Sequence, residues 1–530
     1  MTEIVTSQTP PILHGPTEKE KKYDRQLRLW AASGQAALEA ANILLVNSGA
    51  GTVGVETLKN LVLPGIGKFT IADDAIVNET DLGVNFFLDE SCLGKLRSEC
   101  CTKLLQELNP EVQGEWFPKK EGILDLRGTL ESSPTFTLIM YTHPIKEELL
   151  SIIKSYATEH KTPLVAIHSA GFYSYFRINL PGTFPIVDTH PEVEKTTDLR
   201  LLNPWPELVE FSREMTKDID ALDDHEHGHL PYVVILLHYL EEWRQSHNGQ
   251  NPISYNDKTA FSKFVLSKAR TNNPEGGEEN FQEAATAINK NIKAPELEPG
   301  VQEIFNHQVS DEIERRSSFW VIVKAIEAFY NKHGCLPLPG ALPDMKAQST
   351  VYVKLQSIYK TKARQDAQEV LETARALPGG KDVDPAEVDL FCKNARFVKL
   401  INATPTNAET MNDEAAEAMK VETDGAFTLP MSNLFIYLAL VATSHNIAST
   451  ADEIMSSITG LIPKAAGSQR VLEASQEVAR AAGGELHNIS ALTGGMVAQE
   501  VIKIITKQYI PIENTCIFDG ISSRCQVLRL

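Results

Sequence analysis

The chain has 530 residues, of which 42% are hydrophobic and 23% are charged, with 31 glycines and 28 prolines. This composition excludes a wholly disordered chain, a collagen and a coiled-coil rod, and the length predicts about three folded units. Fifty basic and seventy acidic residues give a net charge of −20, which disfavours general electrostatic binding to nucleic acid.

Targeting signals and cysteine usage predict where the protein works. No apolar run approaches the roughly 18 residues that cross a bilayer, and residues 1–22 lack the pattern of a signal peptide. The seven cysteines contain no Cys-x-x-Cys pair, which argues against a disulfide framework and a structural zinc site. We therefore expect a cytoplasmic or nuclear protein, or one in both compartments, with no nucleic-acid partner and no membrane partner.

The first part of the chain alternates between predicted helices and strands. A helix is predicted from Gln26, and the apolar run Asn42–Val46 is typical of a buried parallel strand. The glycine-rich turn Gly49–Gly54 (GAGTVG) leads into a second helix, and Lys68–Ala72 predicts the next strand, which ends at Asp73. Strand, glycine turn, helix and strand in about thirty residues form a βαβ unit. Four further elements continue the alternation: a helix over Gly94–Leu108, a strand over Phe136–Tyr141, a helix over Ile145–Tyr156 and a strand over Leu164–Ile167.

The pattern changes in the middle of the chain and returns at its end. From about residue 181 to residue 484 it is mostly helical, with predicted loops at Thr271–Glu279 and Thr404–Asp424. A helix after Thr493 and short strands over Cys516–Asp519 and Gln526–Leu528 restore the α/β pattern. We therefore predict an α/β domain formed by residues 1–180 and 485–530, with a large, mostly helical insertion over residues 181–484.

The glycine motif predicts a nucleotide cradle. Gly49, Gly51 and Gly54 allow a tight turn and a close backbone approach, and the N-terminus of the following helix favours a phosphate. Asp73 ends the next strand, where a carboxylate can accept a hydrogen bond from a ribose hydroxyl. A glycine turn that serves packing alone remains the alternative. The motif by itself also fits a stand-alone protein that binds ATP or NAD.

The other candidate groups favour structural roles. We expect the cysteines to be small buried hydrophobes, since none lies in a motif that marks a nucleophile. His227-Gly228-His229 has no neighbouring zinc ligands and predicts a surface loop, so no metal site is expected. From composition alone, the string Tyr23–Trp30 (YDRQLRLW) predicts an amphipathic helix with solvated Arg25 and Arg28.

Four segments in matching order and spacing are similar to the activating enzymes of ubiquitin-like proteins. They are YDRQLRLW at 23–30, GAGTVGVETLKNLVLPGIGKFTIAD at 49–73, LGVNFFLDESCLGKLRSE at 82–99 and ALTGGMVAQEVIKIIT at 491–506. Further matches between residues 198 and 359 resemble more closely the regulatory subunits of the Nedd-type (Rub-type) enzymes, the amyloid-precursor-binding-protein-like chains. The similarity covers nearly the whole chain and is far more specific than the glycine motif.

This resemblance implies a fold and a reaction. The fold is α/β, a Rossmann-like adenylation domain of the ThiF/MoeB type formed by both chain ends, with an insertion resembling half of the catalytic-cysteine region. Enzymes of this family pair one competent adenylation fold with one degenerate fold. The competent half binds ATP and magnesium, adenylates the C-terminal glycine of the modifier, and transfers the acyl group to its own cysteine as a thioester.

Two departures from the competent half identify this chain with the degenerate one. The family's Asn-Arg-Gln type string corresponds here to Val84–Leu88 (VNFFL), which has no arginine. The metal-holding aspartate corresponds to Tyr141–Pro144 (YTHP), which has no carboxylate. Phosphoryl chemistry needs cations to neutralise developing charge, and the catalytic-cysteine segment is also unmatched. The resemblance therefore implies a non-catalytic pseudoenzyme subunit with no catalytic residue of its own, no metal and no tightly bound cofactor.

The glycine loop differs from that of the usual regulatory subunit by resembling the competent half. Members of the regulatory branch often have a degraded loop, whereas this chain keeps all three glycines, so weak nucleotide binding stays open. The resemblance implies a vestigial nucleotide loop, comprising Gly49, Gly51, Gly54 and Asp73.

The resemblance implies two roles for this chain in a complex with a catalytic subunit. Arg25 matches an N-terminal arginine that, in related assemblies, reaches into the ATP site of the other subunit, where a planar guanidinium suits a phosphate. The helical insertion would shape the groove that admits the modifier and the conjugating enzyme. The expected partners are thus the catalytic subunit, with ATP and magnesium in its site, a Nedd-type modifier and the Nedd-conjugating enzyme.

The implied process is the first step of cullin neddylation, which feeds ubiquitin-ligase control and cell-cycle progression. A regulatory chain for another modifier, such as the SUMO type, is the alternative within the family. That branch usually lacks so long a helical insertion, and the matches between residues 198 and 359 argue against it.

Overall fold

The computed structural model describes residues 15–120, 122–192, 195–271, 277–293, 296–402, 413, 416–417, 431–445 and 449–530. Most of the predicted loop at residues 404–424, the centre of the one at residues 271–279 and the first 14 residues lie outside this part. The chain divides into two compact units, one formed by Met1–Phe184 with Ile401–Leu530 and the other by Pro185–Leu400.

The strands of the described residues belong to two sheets. In chain order they are β1 (Asn42–Val46), β2 (Lys68–Ala72), β3 (Gln113–Phe117), β4 (Leu138–Thr142), β5 (Leu164–Ala170), β6 (Tyr173–Asn179), β7 (Thr183–Val187), β8 (Val398–Asn402), β9 (Thr515–Asp519) and β10 (Arg524–Leu528). Strands β7 and β8 form a two-stranded sheet, and the others form an eight-stranded sheet in the order β10-β9-β6-β5-β4-β1-β2-β3.

The five strands β1 to β5 of the large sheet run parallel, and β6, β9 and β10 extend it in antiparallel fashion. In the register of the central strand, Ile43 lies opposite Phe69 of β2 and Leu138 of β4. The strand order reverses between β1 and β4, and ligands of such sheets bind at the carboxyl ends of the strands beside that point. The predicted α/β, Rossmann-like fold class is confirmed.

Helices cover both faces of the parallel strands. The N-terminal ones are α1 (Glu18–Lys22), α2 (Asp24–Ala40), α3 (Thr52–Val62), α4 (Glu79–Leu82), α5 (Arg97–Leu108), α6 (Leu126–Ser132) and α7 (Glu147–His160). All five residues of β1 are buried, as expected of a central strand covered on both faces.

The second unit is helical, as its sequence predicts. Its helices are α8 (Pro206–Met215), α9 (Asp224–Gly228), α10 (Tyr232–Ser246), α11 (Tyr255–Leu266), α12 (Glu279–Asn291), α13 (Pro299–Asn306), α14 (Glu312–Arg315), α15 (Ser318–His333), α16 (Ser349–Ala376) and α17 (Pro385–Lys393). One hydrophobic core surrounds α10 and includes Phe261, Phe281 and Tyr359. A second core surrounds α15 and includes Val370 and Phe391.

The predicted surface loop at His227-Gly228-His229 is wrong. His227 and Gly228 close α9, and the His227 side chain is buried. Its Nδ1 atom lies 2.7 Å from Oε1 of Glu278, which is also buried. A distant acid thus satisfies this histidine, and the local sequence gave no sign of it.

The predicted insertion included residues 401–484, whereas the contacts place these residues in the unit that contains the large sheet. Four helices close the chain: α18 (Leu434–Ala442), α19 (Ala451–Leu461), α20 (Gln469–Ala481) and α21 (His487–Thr506). The first three share a hydrophobic core with β6 and β9, so they belong to the unit that contains the large sheet. Among the described residues, α21 alone has the length and composition to cross a membrane. However, 67% of its apolar stretch is buried inside the unit, where it packs on α3.

Candidate functional site

Two glycines set the shape of the loop that follows β1. Gly49 and Gly51 have φ angles of 64° and 66°, in the left-handed region that favours glycine. A side chain on Gly51 would collide with the amide of Asn47, and one on Gly54 would lie 2.6 Å from Asn47 Oδ1. The loop therefore requires glycine at the positions of the motif, and α3 begins directly behind it at Thr52.

The carboxylate of Asp73, directly after β2, is held by Arg97 at the start of α5. The Nε and Nη2 atoms of Arg97 donate to its two oxygens at 2.7 and 3.2 Å. The Asn47 amide and the backbone N–H of Ala75 donate to the same carboxylate at 2.9 and 3.0 Å. Asp73 is 2% exposed and Arg97 is 3% exposed. Four donors meet the acceptor capacity of a carboxylate, so Asp73 is not free to receive a ribose hydroxyl.

Arg97 also donates hydrogen bonds to the backbone of the glycine loop. Its Nη1 atom donates to the backbone carbonyls of Gly49 and Ala50 at 2.9 and 3.0 Å, and to Oδ1 of Asp81 at 3.1 Å. Burial by itself would lower the pKa of Arg97, but the charges of Asp73 and Asp81 outweigh it and raise that pKa above its ordinary value. The guanidinium therefore stays charged and pairs with two buried acids, Asp73 and Asp81.

Glu485 places an anion at the N-terminus of α3. Its Oε2 atom accepts hydrogen bonds from the backbone N–H of Val53 at 2.8 Å and from the hydroxyl of Ser490 at 2.6 Å. Gly51, the N-cap residue, has no side chain to cap the helix, and the Glu485 carboxylate caps the Val53 amide instead. Burial raises the pKa of Glu485, whereas the hydrogen bonds from Ser490 and Val53 favour its charged form.

The two positions that the resemblance compared with the competent half also lack its charges. In Val84–Leu88, Phe86 is 82% exposed, and its ring centroid lies 4.6 Å from that of His487. At the end of β4, the hydroxyl of Thr142 accepts a hydrogen bond from the backbone N–H of Ser48 at 2.7 Å. Thr142 thus supports the glycine loop and offers no carboxylate to a metal.

The cysteines have the environment of structural residues. Five of the seven are buried, Cys335 is partly buried and Cys525 is exposed. Burial raises the pKa of Cys100 to about 11, and the pKa values of Cys101 and Cys516 to about 12. Such thiols stay protonated near neutral pH and are weak nucleophiles. Among the residues that the structure describes, no group of three or more His, Cys, Asp or Glu side chains is placed to hold a metal ion.

Two buried aromatic residues anchor the segment that carries Arg25. The hydroxyl of Tyr23 accepts a hydrogen bond from Asn109 Nδ2 at 3.0 Å. The backbone carbonyl of Trp30 accepts one from the Gln508 side chain, also at 3.0 Å. Arg25 lies between these anchors and is exposed.

Arg25 differs from its neighbour Arg28 in its contacts. Nη2 of Arg28 lies 3.0 Å from Oδ2 of Asp24, whereas Arg25 forms no hydrogen bond or ion pair with any described residue. The backbone of α2 is not helical at Trp30 and Ala31, so a bend separates the turn with Arg25 from the rest of the helix. The guanidinium of Arg25 is therefore available to a group outside this chain.

Comparison with known proteins identifies the family. A model of the ThiF family matches residues 23–530. A NEDD8-activating enzyme E1 regulatory subunit from Xenopus laevis is 34% identical over 534 residues, which cover 95% of this chain and 97% of that protein. The chain belongs to the ThiF family, among the NEDD8-activating enzyme E1 regulatory subunits.

Relatives in this group come from distant organisms. The Nedd8-activating enzyme E1 regulatory subunit of Drosophila melanogaster is 34% identical, with 97% of this chain and 98% of that protein covered. The NEDD8-activating enzyme E1 regulatory subunit AXR1 of Arabidopsis thaliana is 33% identical, with 97% of each chain covered. The resemblance drawn from the sequence is thus confirmed, and so is the ThiF-type fold.

The ThiF-type structure brings together most of the predicted site residues. Gly49, Gly51, Gly54 and Asp73 lie side by side at the carboxyl edge of the sheet. Their assignment as a vestigial nucleotide loop stays a prediction, as does the role of Arg25 in a partner's site.

Sequence reasoning missed three residues of this site: Asn47, Arg97 and Glu485. Asn47 stands directly before the motif, where a polar side chain at a strand end could have been noticed. Arg97 and Glu485 gave no signal, because their partners are distant in the chain.

Proposed function

We propose that this chain is the regulatory subunit of a heterodimeric NEDD8-activating enzyme and has no catalytic activity of its own. The observation that carries the proposal is its similarity, over almost the full length of both chains, to regulatory subunits of that enzyme from animals and a plant. In this role the chain supports adenylation of the modifier and thioester formation on the catalytic subunit.

The contacts of the glycine loop support a division of labour between two subunits. In this chain Arg97 engages Asp73, and Glu485 caps the Val53 amide, so both polar ends of the predicted cradle already have partners within the chain. The same contacts argue against the alternative of a stand-alone ATP- or NAD-binding protein. Under this proposal ATP and magnesium bind in the catalytic subunit, where they supply the activated phosphate that the modifier's carboxylate attacks.

Arg25 is the residue that we assign to the shared reaction. Its side chain is exposed, it has no partner among the described residues, and a bend sets its segment apart from the rest of α2. Placed against the triphosphate in the partner's site, its guanidinium would neutralise charge that develops during adenylate formation. It would thus act as an arginine finger supplied by the second subunit.

The remaining partners follow from the same assignment. The modifier is of the Nedd type, and the thioester passes from the catalytic subunit to a Nedd-conjugating enzyme, which starts the modification of cullins. This process places the protein in the cytoplasm, the nucleus or both. No nucleic acid and no membrane takes part in it.

Reconstitution with purified subunits tests the proposal. The full chain is mixed with the catalytic subunit of each activating-enzyme type, and thioester formation is measured with NEDD8, ubiquitin and SUMO. We expect thioester only with the NEDD8-type catalytic subunit and NEDD8, and only when both chains are present. Equal charging of another modifier, or a catalytic subunit that works equally well without this chain, would contradict the proposal.

A further inference from the structure

The N-terminus of α3 in this protein is capped from the other end of the chain. The first amides of a helix have no partners within the helix and carry a partial positive charge, which is why such loops bind phosphates. Here the amide of Val53 donates to Glu485, a residue 432 positions away in the sequence. Glu485 is buried, and Ser490 holds the same oxygen from the first turn of α21.

The positively charged Arg97 contacts the carbonyl groups of the same loop. Arg97 binds the carbonyls of Gly49 and Ala50 and also the Asp73 carboxylate. Burial raises the pKa of Glu485, and the positive charge of Arg97 partly opposes this rise. The loop therefore has a carboxyl group of this chain at the Val53 amide and a guanidinium of this chain at its carbonyls. A phosphate that entered would have to displace the first and would leave a buried carboxylate without partners, which is costly.

We propose that Glu485 is the built-in anion of the glycine-rich loop and occupies the position of a nucleotide phosphate, so that this loop binds no nucleotide. The inference concerns only residues of this chain and does not depend on the function proposed above. It also gives a reason for the intact glycines in a chain without catalytic charges. A side chain at Gly51 would collide with the Asn47 amide, which donates to Asp73, so the closed loop needs glycine at this position.

The proposal assigns a structural purpose to the same contact. Glu485 lies two residues before the start of α21, and its neighbour Gly484 accepts a hydrogen bond from Gly171 at 2.8 Å, beside β6. The carboxylate thus fastens the C-terminal segment to the loop formed by the N-terminal segment. In this proposal, the place where a phosphate would bind is used for a contact between the two ends of the chain.

Replacement of the carboxylate by an added anion provides the test. Glu485→Ala removes the internal anion, and Glu473→Ala, which removes an exposed acid from α20, is the matched control. Thermal unfolding of the full chain is followed in inorganic phosphate and in chloride at equal ionic strength. We expect Glu485→Ala to unfold at a lower temperature than the control, and to gain about 2 °C or more from phosphate beyond the gain of the wild-type chain. Equal phosphate gains in all three proteins would overturn the proposal.

A binding measurement on the wild-type chain tests directly whether the loop binds a nucleotide. The wild-type full chain, alone and without a catalytic subunit, is dialysed against labelled ATP and magnesium at up to millimolar concentration. We expect no saturable binding, and this result stands even if Glu485→Ala fails to fold. Saturable binding of one ATP per chain would overturn the proposal, and it would leave the regulatory role in the heterodimer untouched.

Discussion

The Oε2 atom of Glu485 lies 2.8 Å from the backbone nitrogen of Val53, in the first turn of α3. The two residues come from opposite ends of the chain and meet at the carboxyl edge of the large sheet. Under the proposal that this loop binds no nucleotide, this contact and the Arg97–Asp73 pair convert a nucleotide cradle into part of the protein's own framework. The division of labour with a catalytic partner is consistent with that conversion.

Arg25→Ala is expected to slow modifier adenylation by the heterodimer about 10- to 100-fold. This is the effect of losing one hydrogen bond to a charged group, worth roughly 1.5–3 kcal/mol. ATP–pyrophosphate exchange in the purified complex measures it. Arg28→Ala is the control, because Arg28 is exposed and paired with Asp24, and it should change the rate less than twofold. An unchanged rate in an intact Arg25→Ala complex would refute the role of Arg25.

Arg97→Ala is expected to destabilise the unit that contains the large sheet by about 3–5 kcal/mol. The substitution leaves the buried carboxylates of Asp73 and Asp81 without their cation. Urea denaturation of the full chain measures the loss in the free energy of unfolding. The exposed Arg127 provides the control, since Arg127→Ala should change that free energy by about 0.5 kcal/mol or less. Equal stability of the two variants would show that the buried ion pairs are dispensable.

Two adjacent glycines of α21 are expected to respond in opposite directions to alanine. A Cβ atom on Gly494 would lie 2.8 Å from the backbone nitrogen of Thr57 in α3, whereas one on Gly495 would have nothing within 4 Å. Gly494→Ala should therefore cost about 1–3 kcal/mol, because the two helices must separate. Gly495→Ala should be neutral or stabilise by up to about 1 kcal/mol through helix propensity. Chemical denaturation distinguishes them, and a tolerated Gly494→Ala would contradict the close packing of these helices.

Acid is expected to destabilise the protein through two histidines: His143, which is partly buried directly after β4, and His168, which is buried within β5. Burial holds the pKa of His143 at about 4 and that of His168 well below its ordinary value. An unfolded chain takes up these protons near pH 6.5, so it binds more protons than the folded chain as the pH falls from about 6.5 to 4. Stability should fall through that window, by up to about 3 kcal/mol for His143.

The free energy of unfolding between pH 7 and pH 4.5 measures this effect. His143→Gln combined with His168→Leu should flatten the pH dependence, whereas His160→Gln, at an exposed site, should leave it unchanged. A double variant with the same slope as the wild-type protein would assign the acid sensitivity to other groups.

Local sequence patterns were sufficient for the elements that form the edge of the site. The apolar run Asn42–Val46 and the stretch Lys68–Ala72 became strands with the predicted bounds, because their residues are buried by the helices on either side. The glycine turn was predictable for the same reason, since few other sequences allow two positive φ angles before a helix. The antiparallel strand Tyr173–Asn179 was missed, because it follows β5 directly and carries few turn signals.

Long-range pairing was beyond the reach of the sequence. The helix Leu434–Ala442 is apolar on all sides, so its pattern predicts burial without showing which core buries it. This helix packs in the unit that contains the large sheet. The helical unit therefore ends at residue 400, whereas the predicted insertion ended at residue 484. Arg97 and Glu485 looked like ordinary charged residues, since a buried ion pair or a helix cap is recognised only when its distant partner is known.

Thioester formation with a disabled partner tests the central claim most directly. The full chain is mixed with ATP, magnesium, NEDD8 and a catalytic subunit whose nucleophilic cysteine has been replaced, and thioester is detected on non-reducing gels. We predict that no thioester appears on this chain, although the complex still supports ATP–pyrophosphate exchange. A reducible adduct between NEDD8 and one of this chain's own seven cysteines would contradict the account.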